Sequence, residues 1–266
     1  MTSSQTKRRR EWVYRPVIRV ALALFRLLGF RFTLNGIENV PTAGGAVLAC
    51  NHVSYFDFMF VGLPAHYNGR RLVRFMAKKS VFDNPVAGPL MRGMHHIPVD
   101  RSAGLGAYES ALDALRSGEL IGVFPESTIS RAFVPRTFKT GAARMAIEAD
   151  APLVPVIVWG GHRVWTSGRK PILRRRVPIV IEVAPPLELP EGITAIEATA
   201  LLHEAMTQMC QKVQRSYPAP DSDAEQWWQP SYLGGAAPTL EEAKPIEAAA
   251  IAARAARKQK KRKPAA

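Results

Sequence analysis

Ala46-Val47-Leu48-Ala49-Cys50-Asn51-His52-Val53-Ser54-Tyr55-Phe56-Asp57 is the stretch that decides how this chain folds. Its first five residues are an unbroken apolar run opened by Gly44-Gly45, short enough to be a buried strand rather than a helix. The run stops at Asn51-His52, so an imidazole stands at the strand's carboxyl end and a carboxylate follows five residues later. In open α/β sheets that end of a strand is where ligands bind. A His with an Asp to fix its tautomer is the minimal device for removing a proton from a hydroxyl. On one continuous helix positions five apart face directions roughly 140° apart. His52 and Asp57 therefore meet only if His52 lies in a strand-to-helix turn and Asp57 in the first helical turn. Ser54 is the expected N-cap of that helix.

Working outward, similar runs recur. Leu72–Ala77 ends in Lys78-Lys79, His96–Val99 in Asp100-Arg101, Leu120–Phe124 in Pro125-Glu126-Ser127-Thr128, and Leu153–Trp159 in Gly160-Gly161-His162. Val177–Val183 is a sixth run. Pro98 marks an edge or irregular strand. Helical patterns lie between the runs, at about 105–117, 139–149 and 194–215. The alternation predicts an α/β fold: a mixed, largely parallel sheet flanked by helices. Parallel strands would gather His52, Lys78, Arg101, Glu126 and His162 along one sheet edge.

The 266 residues carry a net charge of +14, placed mostly at the two ends. Residues 1–34 hold eight Lys/Arg against one acid, and residues 235–266 hold eight against three. A nucleic-acid enzyme would carry that excess on its body, so nucleic acid is not expected as a partner and an anionic membrane surface is. No secretory cleavage site follows the basic start. Residues 12–34 are apolar but broken by Arg15, Arg19, Arg26 and Arg31, too interrupted for a span of about 20 residues. They suit an amphipathic helix in the membrane interface, with Arg15, Arg19 and Arg26 on one side. Pro16 fits its first turn and Gly29 its end. The two cysteines, Cys50 and Cys210, do not form a disulfide framework and suit a reducing, cytosol-facing compartment. The expected organisation is a basic start and interfacial helix over 1–33 and an α/β domain over 34–217. Residues 218–266 read as a linker and low-complexity basic tail with no catalytic part.

His52 as a base needs a hydroxyl acceptor and an electrophile. Lys78, Arg101, Arg131 and Lys139 offer cations for a phosphate. The helix after Asp57 is strongly apolar (Phe58, Met59, Phe60, Leu63) and offers a home for an acyl chain. Glu126 is assigned to acceptor hydroxyls or to holding a cation. Together these features point to acyl transfer onto a phosphate-bearing alcohol.

Asn51-His52-Val53-Ser54-Tyr55-Phe56-Asp57 resembles the first motif (N-H-x4-D) of the glycerolipid acyltransferases of the 1-acylglycerol-3-phosphate type. Gly93–Arg101 is similar to the second, Phe124–Arg131 to the third (F-P-E-G-T-R-S), and Val154-Pro155-Val156-Ile157 to the fourth. The resemblance spans about residues 34–185. It implies His52 and Asp57 as the catalytic pair; with the cations Lys78 and Lys139 already named, the substrate-binding set is Asn51, Lys78, Arg101, Glu126, Ser127, Thr128, Arg131 and Lys139. It implies acyl-coenzyme A or acyl carrier protein as co-substrate, no separate cofactor, no metal, and a place on the cytoplasmic face of the cell membrane. Cys50 and Ser127 remain as minor nucleophile candidates, since no acyl-enzyme is required. One position departs: the usual Arg of the third motif is Ile129 here, with Arg131 two residues on. That widens the acceptors to glycerol 3-phosphate and lysophospholipids.

Two other classes compete. A zinc hydrolase could use His52, Asp57, His95, His96 and His162, but no H-E-x-x-H spacing occurs. A non-enzymatic membrane-binding module would explain the basic ends and leave the polar strand ends without a purpose.

Overall fold

The structure, a computed structural model, describes residues 11–100, 106–172 and 174–262, with side chains to residue 253. The strands are β1 (Arg31–Asn35), β2 (Ala46–Cys50), β3 (Val73–Lys78), β4 (Ile97–Val99), β5 (Leu120–Val123), β6 (Leu153–Trp159) and β7 (Pro178–Val183). They form one seven-stranded sheet in the order β1-β7-β6-β2-β5-β3-β4. Strands β6, β2, β5, β3 and β4 run parallel, while β7 is antiparallel to β6 and carries β1 parallel to itself. The expected mixed, largely parallel sheet is thus present, with β4 and its Pro98 at an edge. β2 is buried on both faces along its whole length, which is why its sequence shows no alternation. β7, by contrast, alternates buried and half-buried residues. Gly45 is required at the entry to β2, because a Cβ there would lie 2.1 Å from the Leu115 carbonyl oxygen.

The helices are α1 (Tyr14–Leu28), α2 (Asp57–Tyr67), α3 (Lys79–Phe82), α4 (Ala87–Gly93), α5 (Gly106–Arg116), α6 (Gly141–Glu148), α7 (Ala195–Ser216) and α8 (Leu240–Arg262). One face of the sheet packs on α5, α6 and α7, the other on α1 and α2. α7 opens with a reciprocal cap in which the Thr194 hydroxyl accepts from Glu197 N–H and Glu197 accepts from Thr194 N–H.

α1 is divided into three stripes. Tyr14 and Phe25 are buried: the Tyr14 hydroxyl donates to the Val73 carbonyl at 2.6 Å, and Phe25 joins Phe30, Phe32 and Phe60 in a ring cluster. Arg15, Arg19 and Arg26 line a second stripe, exposed to solvent. The third is apolar and uncovered, with Val20 and Leu27 each 69% exposed beside Trp12 at 74%. The helix therefore docks on the domain with one stripe and leaves an apolar one free. Gly29 ends it in the left-handed conformation, as expected. Among the described residues no helix is long and apolar enough to cross a membrane.

The segment read as a linker closes over the core. Trp228 and Ala237 are buried in the cluster built on α6 and α7, and Arg163 stacks on Trp228 while pairing with Glu225. The burial of one tryptophan outweighs the Pro/Gly-rich composition that suggested a loose connection.

Candidate active site

The turn between β2 and α2 is folded around one carboxylate. Asp57 is the first residue of α2, and its Oδ2 accepts from Val53 N–H and Ser54 N–H, both at 2.7 Å. The same oxygen lies 3.0 Å from His52 Nδ1. Pairing in this way leaves Nε2 as the ring nitrogen that can meet a substrate proton. Asp57 is fully enclosed, and the His52 side chain keeps 21% of its exposure. Burial raises the Asp57 carboxyl above the usual carboxylate range, and the His52 and main-chain hydrogen bonds oppose that shift. The His52 ring stacks on Phe124, the residue after β5, with centroids 4.2 Å apart and planes 23° apart. The expected placement of His52 in the turn and Asp57 in the first helical turn is what the structure shows. The expected Ser54 cap is not. Ser54 Oγ donates to the Trp165 carbonyl and accepts from Phe56 N–H, because Asp57 already takes the free amides of the turn.

Glu126 corrects a second expectation. It faces main chain rather than a ligand space: Oε1 accepts from His52 N–H at 2.8 Å and Oε2 from Arg136 N–H at 3.2 Å. Ser130 N–H donates back to the His52 carbonyl at 2.8 Å. Glu126 therefore braces the imidazole-bearing residue against the loop that follows β5. Burial pushes its carboxyl up to about 8, with the accepted N–H bonds and Arg136 pulling the other way. Between the ordinary value and about 8 the folded protein holds a proton that the unfolded chain has lost. Stability then falls as pH rises, by up to about 1.4 kcal/mol per pH unit from this group. Glu126→Gln removes the titration and offers one acceptor for two N–H donors. In urea melts the wild type should lose stability relative to this variant between pH 5.5 and pH 8. Parallel pH profiles would show that Glu126 does not titrate as described.

Asn51 also turns inward. Its side chain donates to the Val158 carbonyl and accepts from Val158 N–H, completing the β2–β6 ladder where the strands part. This places it in the frame, not against substrate. His162 is fully buried beneath Trp228, with Nε2 3.3 Å from the Trp228 carbonyl oxygen; burial drives its pKa down to about 3, and it does not join the sheet-edge group. Cys50 is enclosed within β2, and burial pushes its thiol up, which removes it as a nucleophile. Lys78 is exposed at the end of β3, two strands and about 10 Å from β2. Thr128 and Lys139 are exposed, and Lys139 is tied in by its N–H to the Pro125 carbonyl. Arg101 lies outside the described residues. Ile129, at the third motif's usual Arg position, is only 6% exposed. Arg131 turns its guanidinium against Gly168, where a Cβ would lie 2.6 Å from Nη1.

Ser127 adopts φ 61°, the left-handed conformation in which the resembling motif has Gly. That conformation costs an L-residue roughly 1–2 kcal/mol, and a glycine returns about 0.4–1 kcal/mol through unfolded-chain entropy. Ser127→Gly is expected to raise the melting temperature by one to a few degrees, checked by thermal denaturation; a lower value would mean that the hydroxyl contributes more than the strain removes.

Residues 31–159 match the acyltransferase family model, a span from β1 to the end of β6 that contains the His52–Asp57 turn and the Phe124–Arg131 loop. A relative in Bacillus subtilis named 1-acyl-sn-glycerol-3-phosphate acyltransferase is 32% identical over 143 residues, covering 51% of this chain and 68% of that protein. The chain belongs to the acyltransferase family. By class it is an O-acyltransferase. A protein of the same name in Limnanthes douglasii is 32% identical over 165 residues, and the chain spans 56% of that plant protein's length. The crystal structure of the 1-acyl-sn-glycerophosphate acyltransferase PlsC from Thermotoga maritima shares the fold, with a TM-score of 0.63, 20% identity, and coverage of 77% of this chain and 81% of that one.

Three residues that the structure brings to the surroundings of the His52 turn gave no signal in sequence. Arg136 lies in an irregular stretch, Trp165 in a short loop after β6, and Glu247 in an Ala-rich segment read as tail. Glu247 Oε2 is 2.7 Å from Arg136 Nη2, and its Oε1 accepts from Arg131 N–H at 3.4 Å. The carboxyl-terminal helix thus reaches the loop beside His52, contrary to its reading as a detached appendage.

Proposed function

We propose that this acyltransferase moves an acyl chain from an acyl thioester, of coenzyme A or acyl carrier protein, to a hydroxyl of a glycerol-phosphate lipid precursor. The foremost acceptor is 1-acylglycerol-3-phosphate, giving phosphatidic acid in phospholipid synthesis. The observation that carries this reading is the 3.0 Å contact between His52 Nδ1 and Asp57 Oδ2 at the carboxyl edge of parallel strands. Nε2 takes the acceptor's hydroxyl proton as the oxygen attacks the thioester carbonyl. Asp57 holds the imidazolium that results. Collapse of the tetrahedral species breaks the C–S bond, and the proton passes from Nε2 to the departing thiolate. Ser127, Thr128, Lys78, Lys139 and Arg101 are assigned to acceptor and donor groups around this step.

An apolar cleft of about 40 Å³ between α1 and α2 has room for only part of an acyl chain and supports its entry from that side. Val17, Ile18, Leu22, Phe58, Met59 and Leu63 line it. Ring contacts lead from His52 through Phe124 and Phe75 to Phe58, with successive centroids 4.2, 6.0 and 6.1 Å apart. The uncovered apolar stripe of α1, flanked by its arginines, supports peripheral attachment to an anionic membrane on the cytoplasmic face. Burial of Ile129 favours keeping glycerol 3-phosphate and lysophospholipids as alternative acceptors.

The test offers the purified full chain labelled palmitoyl- and oleoyl-coenzyme A, and the matching acyl carrier protein thioesters, with glycerol 3-phosphate, lysophosphatidic acid and lysophospholipids. Ester formation on a phosphate-bearing acceptor is expected. Hydrolysis alone, or transfer only to acceptors without phosphate, would overturn the assignment.

A further inference from the structure

A second apolar surface adjoins the uncovered stripe of α1. Val86, the N-cap of α4, is 75% exposed, and Leu90 one turn on is 42% exposed. Val86, Leu90 and Gly93 are spaced i, i+4 and i+7, so they share one face of α4. At Gly93 that face meets α1: a Cβ there would lie 2.7 Å from Val13 Cγ2, and Trp12 is the next residue. Apolar surface therefore passes from α4 onto the start of α1, whose stripe carries it on to Leu27.

α4 holds these side chains outward because its inner side is clamped. Gly88 is buried so close to the Phe82 carbonyl that a Cβ would lie 2.1 Å from the oxygen. The Arg92 guanidinium donates to that same carbonyl at 2.7 Å. Asn84 Oδ1 accepts from Val86 N–H and Ala87 N–H, both at 2.9 Å, and fixes the turn into the helix. Grouped apolar side chains presented on a fixed support form a contact surface, unlike single ones scattered over a protein. The neighbouring charges say what it meets. The α3–α4 hairpin, residues 79–94, holds Lys79 and Arg92 against one acid, Asp83, and Arg15, Arg19 and Arg26 line the adjoining stripe of α1. Apolar groups beside an excess of cations suit an anionic bilayer, where the first enter the acyl boundary and the second meet headgroup phosphates.

We propose that the α3–α4 hairpin is a second membrane footing, which together with α1 sets the orientation of the catalytic edge on the bilayer. A single helix lying in the interface can roll about its own axis, and a footing off that axis stops the roll. α3 begins directly after β3, at the carboxyl edge of the parallel strands that also carries His52. Met94, the residue after α4, lines the apolar cleft between α1 and α2. With both footings seated, that cleft opens toward lipid. This deepens the reading of peripheral attachment and rests on it.

The experiment places a probe on the hairpin of the full chain. Cys50 and Cys210 are fully buried, so a thiol introduced by Val86→Cys can be labelled selectively with a nitrobenzoxadiazole group. Mixing with vesicles of phosphatidylglycerol and phosphatidylcholine should shift its emission to the blue and raise its intensity. The same label at Glu204→Cys, on α7 across the sheet, should not respond. Val86→Glu combined with Leu90→Glu should lower vesicle partitioning at least about 10-fold. Turnover of lysophosphatidic acid held in vesicles should fall with it, while turnover of a short-chain, freely dissolved lysophosphatidic acid stays unchanged. Val86→Ser combined with Leu90→Ser adds no charge, covers the case that the glutamate pair folds poorly, and should act in the same direction by less. An unresponsive label at 86, or unchanged partitioning in both double variants, would overturn the footing. A blue shift that grows with protein concentration and needs no lipid would overturn lipid as the occupant, in favour of a second copy of the chain. If Leu27→Glu lowers partitioning while the α4 variants bind like the wild type, the hairpin fails alone and attachment through α1 stands. A wild type that does not bind the vesicles overturns both.

Discussion

His52→Ala is expected to lower acyl transfer by at least 10²–10⁴-fold, the usual worth of a positioned general base, while leaving the fold in place. The loss should be catalytic because the side chain ends a strand without filling the core. Its main-chain N–H still meets Glu126, and its carbonyl still meets Ser130. Asp57 would keep the Val53 and Ser54 amides. The main structural loss is the stack on Phe124, so the melting temperature should drop by no more than a few degrees. Labelled-substrate turnover and a thermal melt on one preparation check both halves. Turnover within tenfold of the wild type would remove the imidazole from the chemistry.

Asp57→Asn separates charge from scaffold. Oδ2 receives all three hydrogen bonds of the turn, whereas Oδ1 is buried and has no partner among the described residues. An asparagine can therefore present its carbonyl oxygen to Val53, Ser54 and His52 and place its amide where Oδ1 was. The turn persists and the negative charge goes. Turnover should fall by roughly 10²–10⁴-fold, since a neutral neighbour no longer stabilises the imidazolium. Stability should hold or rise, because burial already disfavours the Asp57 carboxylate. A large fall in melting temperature with turnover preserved would make Asp57 a structural post and nothing more.

The fold was legible where one physical demand acts on a whole segment. β2 had to be an unbroken apolar run because both its faces are covered, and each neighbouring parallel strand repeats that demand. The His52–Asp57 contact was legible for a related reason: a five-residue separation allows one local geometry, and the structure adopts it. What escaped the sequence were partners supplied by main chain or from far along the chain. A buried Glu126 reads like a ligand until His52 N–H and Arg136 N–H are found on its two oxygens. Asn51 is likewise spent on Val158, 107 residues away. Glu247 meets Arg131 across 116 residues, and no local periodicity encodes such a contact. Trp228 hid the packing of its segment because a single large side chain can anchor a stretch whose composition otherwise signals a loop.

The way Glu126 holds Arg136 also bears on how this enzyme can change. The Glu126 side chain grips an amide that every amino acid except proline provides, so the side chain at 136 can be exchanged without touching the post on which the imidazole is mounted. The ion pair to Glu247 can change at that position while the turn that carries His52 and Asp57 keeps its support. Variation in the side chain at 136 is thereby mechanically decoupled from the mounting of the His52–Asp57 pair.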